Sequence, residues 1–385
     1  MELEQTEFFE MGEEQVMFRN MAREFAIRHI KPIEQDIDRD KKLPKDCINQ
    51  MASLGLLGIT LPQEYGGLGA DHISQIVVAE EIARASISIA IPVFYSHSTV
   101  ASTICDWGND SRKHEYLPAM CKGEILACHT LGEPYGHYEA TDIRADNMTE
   151  PDKWSLNGIK KFVLNGTASR LALVFANNIH NRGVLAFLAD AEKCNFSTEE
   201  IPVKTALRGS NMAKLGFRDC FIDQQSVLGS TDQGSEIMAT VRSNAWLNLS
   251  AAYVGLAQAC IDAGIDYAQK REAFGKVISN YQAIQNLIAD SYIKIQLARS
   301  FLYRVCDLKD KGRPFTREAL LAKCYTSEMV EIIAENTFQI HGGYGYLHDF
   351  PVARFLRDAA GASIIGGSPL WQKVEIARHL LEAWH

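Results

Sequence analysis

The chain has 385 residues and a formal net charge of -9, with 46% hydrophobic and 23% charged residues. That length exceeds one ordinary core and suggests two or three domains. An acidic balance argues against nucleic acid as the main partner, because phosphate-binding faces are built from an excess of Lys and Arg. The nine cysteines are scattered, with no CxxC pair, so free thiols in a reducing compartment are expected and no metal site is. The acidic opening, MELEQTEFFEMGEEQ, lacks the basic-then-apolar order of a signal peptide, and no apolar run reads as a membrane span. The expected location is the cytoplasm.

The first third reads as helical. In EEQVMFRNMAREFAIRHIKPI, residues Phe18, Met21, Ala22 and Phe25 recur at one-sided helical spacing, and Pro32 is expected to stop the helix. DHISQIVVAEEIARAS and SRKHEYLPAMCKGE continue in that style, with PQEYGGLGAD as a glycine-rich loop. Near residue 125 the pattern shifts to short apolar or alternating runs, WSLNGIKKFVLNG, LALVFAN, GVLAFLAD and KLGFRDCFIDQQSVLG. Their turn-divided spacing predicts an antiparallel β domain. From Gly234 the helical period returns. Leu247, Ala251, Val254, Ile261 and Ile265 fit one buried stripe, and Ile284, Leu287, Ile288, Tyr292 and Ile295 fit another. The expected class is α+β, with helical residues 1–124, a β domain at 125–233 and a helical bundle at 234–385.

Periodicity stops at architecture; the motifs go further. REAFGKVISNYQAIQNLIAD, QIHGGYGYLHDFPVARFLRDA and IARHLL, with LGEP, LRGSNMAKLGFRDCFI, LPQEYGGLG and EEIARAS, resemble the acyl-CoA dehydrogenase family nearly end to end. The resemblance implies a helical domain, a β-barrel-like domain and a four-helix bundle, assembled as a homotetramer or homodimer. It also implies FAD. Arg271 and Phe274 match positions that reach the FAD of a neighbouring subunit, and a guanidinium fork suits a pyrophosphate. Gln282 matches a residue near the adenosine end. Gln339, Gly342 and Gly343 match a loop whose backbone nears the pyrophosphate, and Ser368 stands where a Thr is usual. On the flavin side the matching positions are His129, Leu131, Gly132, His137, Tyr138, Phe162 and Leu164.

Several of these depart from the family pattern. The family reaction removes a proton from the carbon next to an acyl thioester, and a placed carboxylate supplies a large rate factor. Gapless alignment puts Gly366, in IIGGS, at the usual Glu position. The alternative position, on the helix opening the C-terminal domain, is Ala245, followed by Trp246. Phe162 replaces a Trp and Leu164 a Thr; Gly132, His137, Tyr138 and Glu139 replace Thr, Gly, Ser and Asp.

The expected function is therefore FAD-dependent oxidation of an acyl thioester carried on CoA or an acyl carrier protein, a hydroxy- or aminoacyl group among the options. Candidate replacement bases are His137 and Glu139, followed by Asp142 and His97. A flavin monooxygenase or other non-dehydrogenating flavoenzyme, and an inactive FAD-binding scaffold, are the alternatives. Either an electron-transfer flavoprotein or O₂ would reoxidise the flavin.

Overall fold

A computed structural model describes residues 11–131, 143–147, 153–181, 183–202 and 204–383. Helix α1 (Glu13–Phe25) buries Phe18, Ala22 and Phe25, the face its spacing predicts. Pro32 does not end the helical course. The chain widens into a π-helical turn at Ala26–Ile30, tightens into a 3-10 turn at Lys31–Ile33, and resumes as α2 (Glu34–Asp40). Proline removes one N–H donor, and changing the bond register around it absorbs the loss without a break.

Helix α3 (Lys45–Ser53) follows, then α4 (His72–Ala85), capped where the Asp71 carboxylate accepts the Ser74 N–H at 2.7 Å. Next come α5 (Ile87–Ala90), a π-helix at Ile91–Ser98, α6 (Thr99–Trp107) and α7 (Asp110–Cys121). The stretch Ile87–Trp107 is, by length and composition, apolar enough to cross a membrane, which corrects the sequence expectation. Its best window is 89% buried within the protein, as befits a core helix.

Strands β1 (Ala127–His129), β2 (Arg144–Asn147), β3 (Lys153–Leu164), β4 (Leu171–Asn178), β5 (Val184–Asp190), β6 (Phe196–Glu200) and β7 (Met212–Asp223) form one sheet. The sheet is mixed, not antiparallel throughout: β1 and β2 both run parallel to β4, along successive parts of the same edge. Strand β4 explains why helices and sheet share a core. Leu171, Leu173 and Phe175 point into the helical cluster, while Ala172, Val174 and Ala176 fill the β domain's own cluster. A continuous apolar run is what a strand buried on both faces requires.

Helix α8 (Gly234–Lys270) is buried almost all round from Ser243 to Ile261. It lies against α4 so closely that a Cβ on Gly255 would sit 2.3 Å from the Glu80 carbonyl and 2.8 Å from Ala83 Cβ. A small hairpin, β8 (Glu272–Ala273) and β9 (Lys276–Val277), leads to α9 (Gln282–Asp310), α10 (Thr316–His341), α11 (Val352–Ala360) and α12 (Pro369–Ala383). On α9 only Ile295 of the expected stripe is buried; Ile284, Leu287, Ile288 and Tyr292 are half-buried. Helices α4, α8 and α10, which pack on α9, leave that face incompletely covered.

Candidate active site

The three parts meet around the π-helix at Ile91–Ser98. His129, at the end of β1, is buried with its ring edge-on to Tyr95, the centroids 4.6 Å apart. Its Nε2–H donates to the Tyr95 carbonyl at 3.0 Å, leaving Nδ1 without a partner. Burial pushes the His129 pKa down to about 4, so the ring is neutral at pH 7. Ser96 reaches the Leu164 carbonyl at 3.5 Å, bringing the end of β3 beside β1. Leu131 and Leu164 are buried, whereas Phe162 is exposed and adopts φ +57° at a bulge of β3. A non-glycine residue held in that region is strained, a common property of ligand-facing positions. The segment leaving β1 holds Gly132, His137, Tyr138, Glu139 and Asp142, which lie outside the described residues. His97 is fully buried; it faces the Met120 carbonyl without a hydrogen bond of normal geometry, and burial lowers its pKa to about 4. Its place inside the N-terminal helices gives it no route to a substrate proton.

The two positions at which the resemblance leads one to expect a base, distant in sequence, are brought close in space. Ala245 and Trp246 are buried on α8, and Trp246 Nε1 donates to the Gly366 carbonyl at 2.8 Å. Gln372 Nε2 donates to the same oxygen at 3.2 Å. Gly366 and Gly367 have φ of +74° and +93°, values L side chains rarely adopt. A Cβ on Gly366 would meet Leu249 Cδ1 at 2.4 Å, Lys323 Cε at 3.3 Å and Trp246 Cδ1 at 3.6 Å. The loop is closed by side chains from α8, α10 and α12, and the space of a catalytic side chain is filled. Beyond it, Ser368 accepts the Trp371 N–H at 3.3 Å and starts α12.

The opposite end of the domain has a different character. A cleft of about 380 Å³ is lined by Tyr267, Arg271, Ile340, Gly342, Gly343 and Tyr344, among others. The Arg271 guanidinium lies 4.9 Å above the Tyr344 ring. Among the described residues, and apart from the immediate chain neighbours, no atom lies within 4 Å of where a Cβ on Gly342 or Gly343 would be. Phe274 sits on the β8–β9 hairpin with φ +52° and is 98% exposed. Gln282 opens α9 and Gln339 lies in the last turn of α10, both exposed. The fold thus unites Arg271, Gly342 and Gly343 in one cleft, and separates them from His129, Leu164 and Ser368.

Sequence reasoning did not identify Lys323 or Gln372, which hold the glycine loop. Lys323 had one legible signal: it falls in phase with Leu320, Ser327 and Val330 on the buried side of α10.

Comparison with known proteins matches residues 12–124 to the acyl-CoA dehydrogenase N-terminal domain and residues 232–381 to its C-terminal domain. An acyl-CoA dehydrogenase of Bacillus subtilis (strain 168) is 32% identical over 372 residues, covering 96% of this chain and 98% of its own. The human mitochondrial short-chain specific acyl-CoA dehydrogenase is 31% identical, covering 97% and 92%. The solved butyryl-CoA dehydrogenase of Megasphaera elsdenii superposes with a TM-score of 0.92 at 27% identity, covering 97% and 99%.

Proposed function

Because the chain belongs to the acyl-CoA dehydrogenase family and is an FAD-dependent dehydrogenase-type oxidoreductase, we propose that it oxidises an acyl thioester without the family's usual Glu base. The observation carrying this reading is the contrast between an open cofactor rim and a reacting end whose two customary base positions hold Gly366 and Ala245.

The cleft suits the diphosphate part of FAD. Arg271 offers paired donors, and the bare backbone at Gly342 and Gly343 leaves room for phosphate oxygens. When bound, FAD supplies the hydride acceptor. Arg271 and Phe274 reach the FAD of a neighbouring copy, with Gln339, Gly342 and Gly343 along its pyrophosphate and Gln282 near its adenosine end. His129, Leu131, Phe162, Leu164 and Ser368, with Gly132, His137 and Tyr138, border its reactive portion.

The proton must leave to a group other than residue 366 or 245. We assign it to His137 or Glu139, on the segment that departs directly from His129 and Leu131. His97 and His129 are weak bases, because burial lowers their pKa to about 4, and both are enclosed. The acyl group arrives on CoA or a carrier protein, and an electron-transfer flavoprotein or O₂ takes up the electrons.

The protein works as a homodimer or homotetramer in the cytoplasm, divided at 1–124, 125–233 and 234–385. Ile293, Leu297 and Phe301 on α9 form an exposed apolar stripe at four-residue spacing, with Tyr325 and Ile332 exposed on α10. A second copy is the simplest cover for it.

The test is to hold the purified protein anaerobic and follow its visible flavin absorbance against a panel of acyl-CoA and acyl-carrier-protein thioesters. Bleaching by one of them supports thioester oxidation and identifies its class. A flavin that no thioester bleaches overturns the reading in favour of oxygen chemistry or a scaffold role.

A further inference from the structure

Lys323 is completely buried, yet no carboxylate among the described residues bonds it. Its Nζ donates to the Ala362 carbonyl at 3.1 Å and to the Gly367 carbonyl at 2.5 Å. One ammonium therefore ties both ends of the turn at residues 363–366. The Gly366 carbonyl is drawn into the bundle too, by Trp246 and Gln372. In a planar trans peptide the N–H points opposite to the C=O of the same unit. Turning the Gly366 and Gly367 carbonyls inward thus turns the N–H groups of Gly367 and Ser368 outward, at the start of the 15-residue helix α12. Neither N–H donates to a partner among the described residues. The left-handed φ of both glycines makes this double turn accessible.

We propose that Lys323 is a positioning residue, which orients the Gly367 and Ser368 amides as donors toward an oxygen of the bound FAD. This rests on the reading above that Ser368 borders the cofactor. A structural role alone would cost stability on Lys323→Met, since the Ala362 and Gly367 carbonyls lose their donor, but would leave the bound flavin unmoved. Burial lowers the Lys323 pKa to about 7, the desolvation cost of an ammonium held on carbonyls.

The experiment compares wild type with Lys323→Met in the full chain. FAD is removed and titrated back by fluorescence quenching, the visible spectrum of the reconstituted flavin is recorded, and the apoproteins are melted. The expected result is about a tenfold loss of FAD affinity, the loss of one to two oriented hydrogen bonds. The flavin spectrum shifts, and the apoprotein melts somewhat lower because the Ala362 and Gly367 carbonyls lose their donor. Unchanged affinity and spectrum overturn the proposal, as does a lowered melting temperature with an unshifted spectrum. If Lys323→Met does not fold, Lys323→Gln takes its place, with the spectrum as the deciding measurement. A wild-type apoprotein that binds no FAD would overturn the cofactor reading itself, whereas wild-type binding with an indifferent variant overturns only the role of Lys323.

Discussion

The cleft at Arg271, Gly342 and Gly343 and the glycine loop lie on the same helical bundle, but they treat backbone in opposite ways. At Gly342 and Gly343 the chain leaves space that no residue of its own fills, beside an exposed Arg271 and Phe274. At Gly366 the space is occupied by Leu249, and the carbonyl is bonded by Trp246 and Gln372. Glycine thus serves two ends: approach by something external in one place, and a fold-back that excludes a side chain in the other. Around Gly366 the neighbours are packed for a residue without a Cβ.

The contrast can be broken or sharpened by experiment. The largest effect is expected at the segment after β1. Replacing whichever of His137 and Glu139 takes the proton, as His137→Ala or Glu139→Gln, should slow anaerobic flavin bleaching roughly 10²–10⁴-fold in stopped flow. If neither slows it, the proton leaves by another path. Next is Trp246→Ala, which removes a buried indole and its bond to Gly366. A cost of about 3–5 kcal/mol in denaturant unfolding is expected, with the Ile364 and Ile365 amides losing protection from hydrogen exchange.

Acid comes third. His97 and His129 are held near pKa 4 in the folded chain, against about 6.5 when unfolded. The unfolded state takes up protons first, so their contribution is complete above pH 6.5 and is lost as pH falls toward 4. Each is worth about 3 kcal/mol at the acid end. Melting temperature should fall steeply across that window, and His97→Phe should flatten the slope.

Gly366→Glu tests the glycine loop directly. With φ +74° and Leu249 at 2.4 Å from the new Cβ, it should destabilise by about 1–3 kcal/mol and confer no dehydrogenase activity. Acquired activity would mean that the loop opens readily. The smallest effect belongs to Arg271→Ala, which should weaken FAD by about tenfold while the melting temperature of the apoprotein stays within a degree or so of wild type.

Much of the architecture was legible because it rests on local rules. One-sided spacing of Phe18, Ala22 and Phe25 marks α1, and the unbroken apolar run of β4 marks a doubly buried strand. The parallel pairing of β1 and β2 with β4 was not legible, since strand direction depends on how far-apart segments dock. Pro32 misled because a proline signals a lost bond, and the turns that absorb it depend on packing.

For the site, the sequence by itself determined which side chains are absent: position 366 is glycine and position 245 is alanine, and neither can take a proton. It also marked Arg271, Gly342 and Gly343 as a set, through their order within long motifs. Only the tertiary structure decided that Trp246, next to Ala245 on α8, bonds Gly366, that Leu249 packs where a Cβ of residue 366 would lie, and that Lys323 and Gln372 hold the loop. The physical reason is distance along the chain. Which residues occur is a local fact, but whether a missing side chain leaves a cavity or a closed contact depends on partners 40 to 120 positions away.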